Sequence, residues 1–184
     1  MKNIVLSIII IFAALSPKAQ TILFSDNFDS YTSGQLLVQQ NHINWDTWSH
    51  IAGGIEDAPI SNTYSTSSPN SLYINASSDI IFKFEDQTTG SFNISFDIFI
   101  PTSSPGGYFN VQHYFSPGIE WAFECYFSDD STGYILVGGT TYNFDYPKGN
   151  WFNVEGIINL NNDSTAIKID NIDIATWPFH YRDN

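Results

Sequence analysis

The 184-residue sequence contains a single cysteine, Cys125. No intramolecular disulfide can form, so the fold must rest on its hydrophobic core. A lone Cys set among aromatic strand residues reads as a small buried hydrophobe. Basic residues are also scarce: 6 Lys and Arg stand against 19 Asp and Glu, a formal charge of −13. Such a surface repels phosphates and anionic membranes, which argues against nucleic acid as a partner. His42, His50, His113 and His180 are scattered, with no close pair, which argues against a zinc site. No segment carries a helical apolar period. After residue 19 no run approaches the roughly 20 apolar residues that a membrane helix needs, so no membrane insertion is expected.

What the chain does have is apolar and aromatic bulk. Apolar residues make up 42% and aromatics 16%, well outside the composition of disordered chains. Lys2, the apolar run Ile4 to Leu15, and Ser16-Pro17-Lys18-Ala19 together form the pattern of a secretory signal peptide, residues 1–19, cleaved after Ala19. Its loss would leave 4 basic against 19 acidic residues, a formal charge of −15. Residues 20–184 are expected to form one exported domain, secreted or at the cell surface.

Short runs of alternating apolar residues, punctuated by Gly, Pro, Asn and Asp, predict antiparallel strands. They fall at 71–75, 79–85, 90–100, 107–115, 119–127, 133–138, 141–146, 151–160 and 165–174. Along 91–100, Phe92, Ile94, Phe96 and Ile98 point one way, and Ser91, Asn93, Ser95 and Asp97 the other. The expected fold class is all-β, a two-sheet antiparallel jelly-roll sandwich. Residues 25–70 are the least regular and are expected to wrap the sandwich.

Several segments in this order resemble the concanavalin A-like jelly rolls, including laminin-G-like domains. Phe24 to Tyr31 resembles their opening strand. Pro69-Asn70-Ser71-Leu72-Tyr73-Ile74 and Gly90 to Asp97 resemble the strands that follow. Trp151-Phe152-Asn153-Val154 and Ala166 to Asn171 resemble a C-terminal hairpin, with Asn171 in place of the usual Gly. Trp45-Asp46-Thr47-Trp48-Ser49, Glu56-Asp57-Ala58 and Gly107 to Gln112 are similar to the N-terminal lectin-like domains of surface proteins exported by the type IX secretion system. Those proteins usually end in a β-rich sorting domain. None follows Asn184, which implies either a truncated chain or another export route.

The stretch 108–127 holds the candidate binding residues. Strand alternation places Tyr108, Asn110, Gln112 and Tyr114 on one face, and Glu120, Ala122, Glu124 and Tyr126 on the same side of the next strand. Phe109, Val111, His113, Phe115, Trp121, Phe123, Cys125 and Phe127 would face the core. Aromatic rings stack on sugar rings, and amides and carboxylates bond hydroxyls, so the polar set suits an extracellular glycan or polysaccharide. An ordinary solvent-facing sheet carries the same residue types.

The Glu120-x-x-x-Glu124 spacing raises glycosidase chemistry, which needs two carboxyl groups roughly 5 Å apart in retaining enzymes. Residues four apart on a strand lie about 13 Å apart at Cα. The glucanases resembled here carry a central Asp where this chain has Ala122, so no enzyme is expected. For calcium, a structural ion tying first strand to last would use Asp26, Asp29 and Asp170, with Asn27 and Asp173 nearby; Glu56-Asp57 is a second possibility. Solvated acidic turn residues are the simpler reading of both sets. Trp45, Trp48 and Trp177 fall in irregular segments, where they would either seal the sandwich ends or stack on a glycan. The readings left open are a non-catalytic lectin-like module, an adhesion or interaction domain without a sugar site, and a hydrolase or lyase of the same fold.

Overall fold

A computed structural model describes residues 21–181. The expected signal peptide lies outside the described residues. Twelve strands and one helical turn form: α1 (Leu37–Gln40), β1 (Trp45–Thr47), β2 (Ile60–Ser61), β3 (Ser71–Leu72), β4 (Ile80–Phe82), β5 (Ser91–Phe99), β6 (Gly107–Gln112), β7 (Trp121–Phe127), β8 (Thr132–Val137), β9 (Thr140–Asp145), β10 (Trp151–Asn159), β11 (Ser164–Ile169) and β12 (Ile172–Trp177). Among the described residues no helix is long and apolar enough to cross a membrane.

Eight of the strands build two four-stranded antiparallel sheets, ordered β12-β11-β10-β5 and β6-β7-β8-β9. Each strand is apolar on one side, and each sheet buries that side against the other. The shared core joins Phe123, Cys125 and Ile135 of one sheet to Phe152, Val154 and Ile167 of the other. The sandwich architecture expected from alternation is therefore present. Phe96 and Ile98 of β5 pack on this core, while Asn93 and Asp97 on its other side bond Glu155 and Asn153. Cys125 is buried, and burial pushes its thiol pKa well up. It behaves as the small hydrophobe its setting implied.

The chain crosses between sheets after β5 and again after β9. In between, β6 to β9 run as a meander of consecutive hairpins. The turn at Gly138-Gly139 has both φ values positive, 53° and 73°, as a two-residue hairpin requires, and pairs Val137 with Thr140.

Three expectations need correction. The predicted strand at 165–174 is two strands, because Asp170 and Asn171 take positive φ, 50° and 65°, and turn the chain back. The short polar side chains of Asp and Asn tolerate that conformation. Trp177 thereby lies on β12, not in an irregular segment, and is buried beside Phe123, and Trp45 lies on β1. Phe24 to Tyr31 forms no strand. Asp26 Oδ1 instead accepts the Phe28 amide at 2.9 Å, a local turn that competes with pairing. The irregular 25–70 region contains α1, β1 and β2, and it buries Leu37, Val38, Ala58 and Ile60. Asp57 is buried there with them. Its two oxygens accept the Val38 and Gly53 amides at 3.0 and 2.9 Å, so it ties loops rather than lining a site.

Candidate functional site

The side of the β6-β7-β8-β9 sheet turned away from the core carries the polar and tyrosine residues of this hairpin array. Strand register aligns Tyr108 with Tyr126, Tyr126 with Tyr134, and Tyr134 with Asn143, a row across all four strands. Directly opposed residues in antiparallel strands are close enough for their rings to meet. Tyr108 and Tyr126 have ring centroids 4.8 Å apart, and Tyr126 and Tyr134 stack at 4.7 Å and 19°.

Glu124, one step along β7, organises this row. Its Oε1 accepts the Tyr108 hydroxyl at 2.8 Å and the Tyr126 hydroxyl at 2.7 Å. Neither bond uses Oε2. Asn110 Nδ2 donates to the Tyr108 oxygen at 3.1 Å, and Gln112 Nε2 donates to Asn110 Oδ1 at 3.1 Å. The Gly118 amide donates to Gln112 Oε1 at 2.7 Å and anchors the far end. Beyond Tyr134, a surface depression of about 390 Å³ is lined by Thr132, Gly133, Tyr134, Asn143, Phe144 and Asp145. The depression is shallow and open to solvent, a surface for contact with one side of a ligand and not an enclosed pocket.

The network also shifts the tyrosines. Burial, then the bond to Glu124 and its negative charge, push the Tyr126 hydroxyl up to about 12 and move Tyr108 in the same direction. A raised tyrosine pKa contributes stability that is complete below the ordinary value of 10.0 and is lost as pH rises through the folded value. Absorbance titration is expected to show Tyr108 and Tyr126 among the late-ionising tyrosines, with Tyr31 and Tyr146 also raised by burial, and stability is expected to fall between pH 10 and about 12. Glu124→Gln should bring the Tyr108 and Tyr126 ionisations down, since it removes the charge. Unchanged titration in that variant would separate the tyrosines from Glu124.

Of the sequence-predicted binding residues, Tyr108, Asn110, Gln112, Glu124 and Tyr126 are joined in this network. Tyr114 and Glu120 are not. β6 ends at Gln112, and Tyr114 stands exposed in the loop beyond it. The pairing of β6 with β7 shifts between Val111 and Gln112: Val111 opposes Phe123, but Gln112 opposes Trp121. Ala122 is the extra residue of a β-bulge and is fully buried in the core. One inserted residue reverses the face of everything before it. Glu120 therefore pairs with His113, Oε1 to Nδ1 at 2.8 Å, and His113 Nε2 lies 2.6 Å from the Phe179 carbonyl. Trp121, expected in the core, instead lies on the Gln112 side and stacks with Trp48 at 6.5 Å and 24°. Glu120 and Glu124 thus stand on opposite sides of the sheet, without the shared cleft that two-carboxylate chemistry needs.

The aspartates considered for calcium are not gathered. Asp26 bonds the Phe28 amide and the Tyr31 hydroxyl, Asp29 accepts the Asn70 amide at 2.9 Å, and Asp170 occupies the exposed β11–β12 turn. Among the described residues no group of three or more His, Cys, Asp or Glu is placed to hold a metal ion. Tyr134 and Asn143 were absent from the sequence-predicted set. Their signal was available in the Gly138-Gly139 turn, which sets the β8–β9 register and so brings them together.

The fold and this face define the class of the protein as an all-β antiparallel sandwich with an aromatic and polar outer sheet. No family model, curated protein or solved structure matches the chain.

Proposed function

We propose that this is an exported, non-catalytic lectin-like module, on a concanavalin A-like jelly-roll scaffold, that binds extracellular or cell-surface glycan through the outer face of β6 to β9. The observation that carries the reading is Tyr134, backed on one side by Tyr126 and lining the depression with Thr132, Asn143 and Asp145. A fixed ring beside hydroxyl, amide and carboxylate groups offers a sugar both a stacking surface and directed hydrogen bonds. Glu124 Oε2 adds an acceptor for a ligand hydroxyl. The opposite placement of Glu120 and Glu124 supports binding without hydrolysis. The kinship with lectin-like domains of type IX-exported proteins is part of the same proposal and rests on the segments named above.

A second reading, an adhesion domain without a sugar site, draws support from one feature. Tyr108, Asn110, Gln112, Glu124 and Tyr126 already satisfy one another, as residues of a plain solvent-facing sheet can. A glycan and polysaccharide binding screen separates the two. Glu124→Gln is expected to weaken glycan binding about fivefold or more, because a charge-assisted hydrogen bond becomes a neutral one. Its stability should fall by no more than about 1–2 kcal/mol, since the amide oxygen can still accept from both tyrosines while the two bonds lose their charge assistance. Silence across a broad panel from folded protein would favour the adhesion reading.

A further inference from the structure

We infer that this face takes a glycan bearing no carboxylate or sulfate groups, and that it rejects uronate and sulfated polymers. The inference rests on the glycan reading above and concerns the charge class of the ligand. It comes from the distribution of every charge on and around the face.

Glu124 sits in the tyrosine row and Asp145 lines the depression. Asp130 stands at the same end, where its Oδ1 accepts the Thr132 amide at 3.1 Å and the Thr132 hydroxyl at 2.6 Å. These bonds from Thr132 hold the Asp130 carboxyl below the usual range, so the rim keeps its negative charge. Among the described residues no lysine forms an ion pair with Glu124 or Asp145, while the charge of Lys148 reaches Asp130 and helps to hold its carboxyl low. The described residues include three lysines, and main-chain carbonyls or the other sheet hold each of them. Lys83 Nζ donates to the His42 carbonyl at 2.6 Å. Lys148 Nζ donates to the Ser104 and Asp129 carbonyls at 2.8 and 2.5 Å. Lys168 lies on the other sheet, 3.5 Å from Glu155 and 3.9 Å from Asp173.

A carboxylate or sulfate entering beside Glu124 and Asp145 would lose water next to fixed negative charge that no lysine pairs, with Lys148 already held by the Ser104 and Asp129 carbonyls. Like-charge juxtaposition of that kind is how a surface excludes wrong ligands. An uncharged sugar meets no such penalty. Its hydroxyls donate to Glu124 Oε2 and to the Asp145 carboxylate, and its ring C–H groups face Tyr134. The polarity of the face is matched: the protein side is rich in acceptors and the sugar is rich in donors.

The test is affinity electrophoresis of the protein in gels containing neutral polymers (mannan, xylan, laminarin, hydroxyethylcellulose) or anionic ones (alginate, polygalacturonate, carrageenan, carboxymethylcellulose), at about 0.15 M salt so that long-range repulsion is screened. The expected result is retardation by at least one neutral polymer, weakened about tenfold or more in Tyr134→Ala, as for a central aromatic anchor. The anionic polymers should bind about tenfold more weakly than that neutral polymer, like charge being the discriminating element. Asn143→Lys, a surface change at an exposed edge-strand position, should narrow that gap and keeps the test valid if Tyr134→Ala folds poorly. Preferential binding of an anionic polymer, lost in Tyr134→Ala, would overturn the charge class while leaving the glycan site standing. Failure of every polymer to bind a protein with a sharp thermal transition would overturn the glycan reading, and this inference with it.

Discussion

Gly106→Ala is expected to destabilise the protein by about 3 kcal/mol or more and to abolish the binding face. Gly106 has φ +136°, a conformation that L side chains rarely adopt, and a Cβ there would lie 1.9 Å from the Phe127 carbonyl oxygen. Holding a non-glycine residue in such a region costs roughly 1–3 kcal/mol by itself. The clash is with backbone, so no side-chain rotation relieves it. The chain must instead pull away from Phe127, which is the partner of Gly107 at the first rung of β6. Tyr108 follows immediately, and its bond to Glu124 depends on that rung. Urea unfolding should show a lower midpoint, and the Tyr108 and Tyr126 ionisations should revert toward ordinary values. Wild-type stability in Gly106→Ala would mean that the start of β6 can shift freely, and that the geometry of the tyrosine row is not pinned there.

Phe123→Ala should cost about 3–5 kcal/mol, the range for removing a large aromatic from a core. Phe123 is 2% exposed and packs edge-on against Trp177 at 5.4 Å and Phe109 at 6.1 Å, one from each sheet. Its ring joins the two layers directly beneath the bulge. A cavity here removes contacts on both sides, and the surrounding strands cannot close over it without shifting register. For a chain of this size each kcal/mol moves the melting temperature roughly 2–4 °C, so a fall of about 6–20 °C is expected in a thermal scan. Trp177 fluorescence should shift toward that of a solvated indole at lower denaturant. Phe123→Leu, which keeps most of the volume, should cost clearly less. Equal losses for the two variants would argue that the site collapses locally and does not couple the sheets.

The turn residues and the alternation made much of the sandwich legible. Ser91 to Phe99 reads as a strand with one apolar side, and it pairs with β10 along its whole length. Tyr108, Asn110, Glu124 and Tyr126 could be placed together because they lie on two strands with a simple period of two. The short strands β1 and β2 were not legible. Two or three residues carry too little periodicity; β1 pairs with β4 well along the chain, and β2 finds only the equally short β3 as its partner. The opening strand expected at Phe24 to Tyr31 failed for a related reason: Asp26 and Asn27 bond nearby amides, and that local choice wins where no partner strand competes.

The sequence by itself determined the long strands of the two sheets, most of their turns and, away from the bulge, the side each residue takes within its own strand, because side-chain alternation is local. It also determined the acidic surface and the reliance on an undisulfided core. Only the tertiary structure decided that Glu120 and Trp121 exchange sides. A bulge belongs to a pair of strands, and nothing in Ile119 to Phe127 alone says which residue the partner will skip. Only the tertiary structure, likewise, joined Tyr134 and Asn143 to the row of Tyr108 and Tyr126. That row exists in the register of four strands together, and register is set by how each sheet covers the other and by the turns between strands.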